Sequence, residues 1–137
     1  MQSIAVDTGP LIALYNRRDA HHAMTMSFFE AERRRLVTNL AVVTETCQML
    51  DFASGAVTDC LEWITAAFEV DRNTPDDLPR IADIMAKYAD LPADFADASL
   101  LAMCERLGIE QIATLDRDFT VYRLGNGKAL VNTLVQS

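Results

Sequence analysis

Four carboxylates of this chain sit in apolar surroundings that a solvated surface does not explain. Asp7 and Asp116 follow short apolar runs, Ile4-Ala5-Val6 and Ile112-Ala113-Thr114-Leu115. Glu45 lies inside the run from Leu40 to Leu50, and Asp97 between Phe95-Ala96 and Ala98-Ser99-Leu100-Leu101-Ala102. Taken singly, Asp7 and Asp116 read as caps, because aspartate is favoured where a strand passes into a helix. Glu45 fits two readings equally, one facing water and one facing a site. Four carboxylates within about 4 Å of their neighbours repel by roughly 4 kcal/mol per pair at an effective dielectric of 20. A protein that gathers them must raise their pKa values or bind a cation. Oxygen ligands without an accompanying His or Cys set select a hard ion, Mg2+ or Mn2+, over zinc.

The remaining polar residues have simpler explanations. Asp76 and Asp77 suit the first turn of a helix, and Asp94 suits the N-cap of the helix that carries Asp97. Glu62, Glu69, Glu105 and Glu110 read as solvated surface, as do His21 and His22. Cys47, Cys60 and Cys104 show no metal or redox spacing and read as free thiols in apolar stretches. The basic residues are few: two lysines, Lys87 and Lys128, and the clusters Arg17-Arg18 and Arg33-Arg34-Arg35. The triple arginine reads as a helix end. Arg17 and Arg18, close in sequence to Asp7, are the candidates for phosphate contact.

The elements that must position these groups follow from the apolar spacing. Strands are expected at residues 2–6, 36–38, 67–70, 112–115 and 129–135. Helices are expected from Pro10 to Leu14, from an Asp19 cap to about Arg34, and from an Asn39 cap to about Phe52, where Gly55 stops it. Further helices run from about Val57 to Ala66, from Pro75 to near Tyr88, and from Phe95 to Leu107 with Gly108 as the stop. Residues 90–94 form a loop. Short apolar strands alternating with helices specify an α/β fold with a mostly parallel sheet. In such a sheet all strand C-termini share one edge, and ligands bind there. Asp7 and Asp116 therefore occupy equivalent points on a binding edge.

Composition sets the outer bounds. The 137 residues suit a single domain spanning 1–137, long enough to bury roughly 70% of its unfolded surface. Twenty Asp and Glu stand against twelve Lys and Arg, for a net charge of −8, which excludes binding of nucleic acid by bulk positive charge. It leaves open contact with phosphates through a metal, since metal sites are themselves built from carboxylates. The N-terminus lacks a basic region followed by a long apolar run, and no stretch approaches the ~20 apolar residues of a membrane span. A cytoplasmic protein is expected.

The order of these residues resembles the PIN-domain family, and within it the VapC-like toxins of toxin–antitoxin pairs. The resemblance is carried by Val6-Asp7-Thr8-Gly9-Pro10-Leu11-Ile12, by Thr38 through Glu45, by Asp94-Phe95-Ala96-Asp97-Ala98 and by Thr114-Leu115-Asp116-Arg117-Asp118-Phe119. Gly9-Pro10 departs from the commoner small residue followed by leucine. The resemblance implies a three-layer α/β/α PIN-like domain around a mostly parallel central sheet, carrying a Mg2+- or Mn2+-dependent ribonuclease site. Asp7, Glu45, Asp97 and Asp116 match the family's acidic tetrad and are its implied metal and catalytic residues. Asp7, Asp97 and Asp116 would hold the ion, and Glu45 would orient or deprotonate the attacking water or complete a second metal site. Thr8 and Thr114 match the family's small hydroxyls, with Asp94 and Asp118 as helpers. RNA as substrate, an antitoxin as partner and a homodimer are implied with it.

Two other α/β readings fit less well. A phosphate-accepting receiver module calls for paired acids at the first strand, and a haloacid-dehalogenase-like phosphatase for Asp-x-Asp, where residues 7–9 read Asp-Thr-Gly. The stronger alternative is a non-catalytic PIN-like module that binds a metal or a partner.

Overall fold

The computed structural model describes residues 2–53, 55–91 and 93–134. Its centre is β1 (Ser3–Val6), in which Ile4, Ala5 and Val6 have no exposed surface. A strand buried on both faces reads as an unbroken apolar run and must be covered on both sides. β2 (Arg35–Asn39) flanks it on one side and β4 (Gln111–Ala113) on the other, with β3 (Phe68–Asp71) beyond β2 and β5 (Val131–Asn132) beyond β4. All four pairings are parallel, with Ile4 opposite both Leu36 and Gln111. Six helices among the described residues flank the sheet as an α/β/α arrangement: α1 (Thr8–Tyr15), α2 (His22–Ala31), α3 (Leu40–Met49), α4 (Ala56–Ala67), α5 (Leu78–Lys87) and α6 (Phe95–Leu107).

The strand order β3-β2-β1-β4-β5 creates a switch point. The chain steps outward from β1 to β3, then returns to lay β4 against the free side of β1. The connections after β1 and β4 therefore diverge, and a crevice opens between them at the C-terminal edge.

Local sequence explains the elements nearest that crevice. Asp94 caps α6, accepting the Asp97 N–H at 2.8 Å, and Gly108 ends it in the left-handed conformation at φ 70°. Asn39 caps α3 by accepting the Val42 N–H at 3.0 Å, and its amide donates to Ser99 Oγ at 3.1 Å, which ties α3 to α6. Pro10 falls in the first turn of α1, where no N–H is needed. A Cβ on Gly9 would stand 3.2 Å from Leu115 Cβ, a tight contact, so glycine lets α1 begin this close to the segment after β4 without displacing Leu115.

Several boundaries differ from expectation. The Asp19 side chain accepts the His21 N–H at 2.8 Å in a turn, and α2 starts only at His22. Arg33–Arg35 lie outside that helix: Arg34 binds Glu32 and Gln111, and Arg35 opens β2 and pairs with Glu69. Gly55 precedes α4 instead of ending α3, Thr74–Asp77 is a 3-10 turn, and β5 has two residues. Within the expected strand 129–135 and loop 90–94, Val135 and Pro92 lie outside the described residues.

Besides Glu69, two further acids assigned to solvent or to a helix dipole are in ion pairs. Glu105 receives both Arg80 Nε at 2.9 Å and Arg80 Nη2 at 2.8 Å. Arg106 clamps Asp77 with two bonds of 2.9 Å and Asp71 with bonds of 2.5 and 3.2 Å, joining α6 to the end of β3. Both partner carboxylates are nearly buried, at 7% and 9% exposure. Arg106→Met therefore strands two charges and lowers stability by about 3 kcal/mol in urea denaturation, part of which Asp77→Asn restores in the double variant. A loss below about 1 kcal/mol marks the clamp as an ordinary surface pair.

Candidate active site

Asp7 continues the ladder one residue past β1, its N–H donating to the Ala113 carbonyl at 3.0 Å. Its carboxylate thereby emerges at the switch point, yet the residue is only 4% exposed. Oδ2 accepts the Thr114 hydroxyl at 2.7 Å, while Oδ1, also buried, has no hydrogen-bond partner. Burial lifts the Asp7 pKa to about 6, against the pull of the Thr114 hydroxyl and the Thr8 N–H, with Asp116 and Asp94 adding repulsion.

Asp97, in the first turn of α6, is the most perturbed carboxylate of the group. Burial pushes it up to about 8, reinforced by the charges of Asp7, Asp94 and Asp116. Its carboxylate also reaches back to the Asp94 N–H at 3.4 Å, closing a capping box. Glu45 projects from α3 into a cavity of about 400 Å³ lined also by Gln48, Asp94 and Phe95. Burial raises its pKa, the Thr8 hydroxyl lowers it, and Asp94 and Asp7 raise it further. Repulsion thus links Asp7 with Asp94, Asp97 and Asp116, and Glu45 with Asp7 and Asp94. Among the described residues, none of these five is in an ion pair.

Asp116 follows β4, and its N–H donates to Thr114 Oγ1 at 3.0 Å. Its own Oδ1 accepts the Asp118 N–H at 2.9 Å, so Asp118 enters the site through its backbone. Beneath this turn Phe119, Tyr122 and Tyr88 stack edge to face. Arg17 and Arg18 are placed elsewhere. They follow the C-terminal end of α1, about 12 Å of helix from Asp7, and line a separate cavity with Tyr15, His22, Met26 and Phe52. His22 itself is held by the Ala13 carbonyl at 2.8 Å. One residue that spacing did not single out joins the network: Asn132 of β5, whose side chain bonds both backbone groups of Thr114. Its only sequence signal is an Asn at the end of a short apolar run.

The donor set fits a hard divalent cation, because a buried carboxylate oxygen without a donor needs a positive charge to offset its desolvation. Among the described residues, no group of three His, Cys, Asp or Glu side chains is placed to hold a metal ion by itself, so a bound ion would take most of its ligands from water and phosphate.

The PIN domain family model matches residues 4–124. The chain belongs to the PIN domain family. Among solved structures, this PIN domain is similar to VapC20 of Mycobacterium tuberculosis, titled a sarcin–ricin loop cleaving toxin. The two share 24% identity with a TM-score of 0.78, over 86% of this chain and 93% of that one. At that identity the likeness is one of fold. No curated protein matches. The family match covers Asp7, Glu45, Asp97 and Asp116 and ends before Asn132.

The raised carboxyls make the metal-free PIN domain sensitive to pH. Folded, Asp7 and Asp97 hold protons up to about 6 and 8, whereas both lose them near 3.8 when unfolded. The folded state thus binds more protons between those limits, and stability falls as pH rises through them. Asp97→Asn, which keeps the oxygen facing the Asp94 N–H, is expected to raise the Tm of metal-free protein at pH 8 by roughly 3–5 °C. Little change is expected at pH 4. An equal shift at both pH values contradicts the charge explanation.

Proposed function

We propose that this PIN domain is a divalent-metal-dependent endoribonuclease and a VapC-like toxin of a toxin–antitoxin pair. The observation that carries the reading is the gathering of uncompensated carboxylates around the half-satisfied Asp7 at the switch point of a PIN fold. Asp7, Asp97 and Asp116 would hold Mg2+ or Mn2+, with Glu45 beside them. A bound ion of this kind lowers the pKa of a coordinated water and offsets charge on a scissile phosphate.

The chain's own residues do the rest. Thr114 fixes Asp7 Oδ2 and leaves the buried Oδ1 without a partner, so Asp7 would keep an oxygen available to the ion. The Asp94 cap sets the first turn of α6 and with it the direction of Asp97. Glu45, its pKa raised by burial, takes a proton from the attacking water closer to neutral pH than an ordinary glutamate does. No nucleophilic side chain is needed, because water attacks phosphorus directly. With a net charge of −8 and no cation paired to the site, phosphate affinity in the absence of the ion is weak. Single-stranded or loop RNA suits this open edge better than a duplex.

Partners follow from the same surface. The acidic crevice attracts an arginine-bearing antitoxin segment. Met24, Met26, Met49 and Phe52 are 39–69% exposed and offer apolar area for that segment or for a homodimer. Trp63 and Phe29 are already used within a cluster with Tyr15, Phe28 and Phe68. No helix among the described residues is long and apolar enough to cross a membrane, and the proposed site of action is the cytoplasm.

The decisive assay incubates defined single-stranded and hairpin RNAs with the protein, with and without Mn2+. Cleavage is expected only with the ion. Glu45→Gln is expected to slow it about 100-fold or more, and Asp97→Asn to abolish both cleavage and the Mn2+-dependent rise in Tm. If Mn2+ stabilises the protein but no RNA is cut, a non-catalytic metal-binding module is the correct reading. If Mn2+ neither stabilises nor activates, both readings fail.

A further inference from the structure

Asn132 bonds no carboxylate, yet four hydrogen bonds lead from it through Thr114 to the Asp7 carboxylate and the Asp116 backbone N–H. Among the described residues, β5 pairs with β4 at Gln111 opposite Val131 and Ile112 opposite Asn132. The Thr133 N–H then donates to the Ile112 carbonyl at 2.8 Å, and there the backbone ladder stops. The Asn132 side chain continues it. Nδ2 donates to the Thr114 carbonyl at 2.9 Å, and Oδ1 accepts the Thr114 N–H at 3.3 Å. A carboxamide has the same donor and acceptor as a peptide group, so it serves as one further rung. The Leu134 N–H also donates to Oδ1 at 3.1 Å, which decides the end of the amide that carries oxygen.

Thr114 is fully buried and now held at both of its backbone groups. Its hydroxyl accepts the Asp116 N–H at 3.0 Å, and its single proton goes to Asp7 Oδ2 at 2.7 Å. One threonine thus ties the acid after β1 to the acid after β4. We infer that Asn132 is a positioning residue of the acidic site: it locks Thr114, and through Thr114 the facing of the Asp7 carboxylate and the path of the Asp116 backbone. Asn132 lies beyond residues 4–124, the span matched to the family. The consequence for metal binding rests on the nuclease reading above, whereas the positioning itself rests on the hydrogen bonds. Groups that orient ligating side chains from behind typically affect metal affinity 10–100-fold.

The test compares Asn132→Ala, Thr114→Val and their double variant with the native protein. Two readouts are taken on full-length, initially metal-free protein: hydrogen exchange at the Asp116 amide, and Mn2+ affinity by calorimetry. Asn132→Ala is expected to speed exchange at Asp116 roughly fivefold and to weaken Mn2+ binding about tenfold. The double variant is expected to bind no more weakly than Thr114→Val alone, because the two residues act in series. Val131→Ala, whose side chain is 59% exposed on the same strand, loosens β5 without touching Thr114 and is expected to change neither readout. Should Asn132→Ala fail to fold, Asn132→Asp keeps the acceptor, loses the donor to the Thr114 carbonyl, and is expected to show the same pattern. Equal effects from Val131→Ala, or additive effects of the Asn132 and Thr114 variants, reduce Asn132 to a staple of the edge strand and overturn the proposal. If the native protein binds no Mn2+, the nuclease reading fails, and exchange at Asp116 alone still decides the role of Asn132.

Discussion

A carboxylate withdrawn from water at the end of a buried strand has to be met by donors or by a cation, and Asp7 is met by a single side-chain donor. The constraint begins with β1. As the middle strand of a parallel sheet it is apolar on both faces, so the first polar residue after it still lies inside the protein. Gly9 lets α1 begin close to Leu115, in the segment that follows β4. Thr114 satisfies one oxygen and leaves the other bare. Placing Asp94, Asp97, Asp116 and Glu45 nearby compounds the cost, because each raises the work of ionising its neighbours.

The chain's cations do not relieve that strain, because several are committed elsewhere. Arg80 is held by Glu105, Arg106 by Asp71 and Asp77, Arg34 by Glu32 and Arg35 by Glu69. These pairs fasten α5 to α6, α6 to the end of β3, and β2 to β3. Charge is thus neutralised where elements must hold together and left unneutralised at the crevice, where a ligand can neutralise it. The net charge of −8 seen in the sequence is in this respect unevenly distributed by design of the fold.

What the sequence revealed was governed by the range of the interactions involved. α6 was legible to the residue, because its Asp94 cap and Gly108 stop are local signals that no tertiary contact opposes. The Asn39 cap was legible for the same reason. Asp19 misled, because an Asx turn and an N-cap use the same side-chain oxygen and differ only in what the next residues do. Asp77 read as a helix-dipole acid and Glu105 as a surface acid until the fold brought arginines from 29 and 25 positions away. Arg17 and Arg18 are near Asp7 in sequence but sit past the opposite end of α1. Asn132 was invisible as a site residue because its significance depends on β4 lying beside it, and nothing local encodes that.

The hydrogen bond from Thr114 to Asp7 joins residues 107 positions apart, which has a consequence for how the protein comes into being. Parallel pairing of β1 with β4 demands closure of a very long loop, an entropic hurdle that tends to make folding slow and places such contacts among the last to be rewarded. A chain with β1, β2 and β3 assembled would already have much of its helical structure, yet Asp7 would lack Thr114 and Asp116 altogether. The acidic centre therefore has no partly competent precursor. It comes into existence together with the finished topology, so any phosphodiester chemistry it performs belongs to the folded population alone.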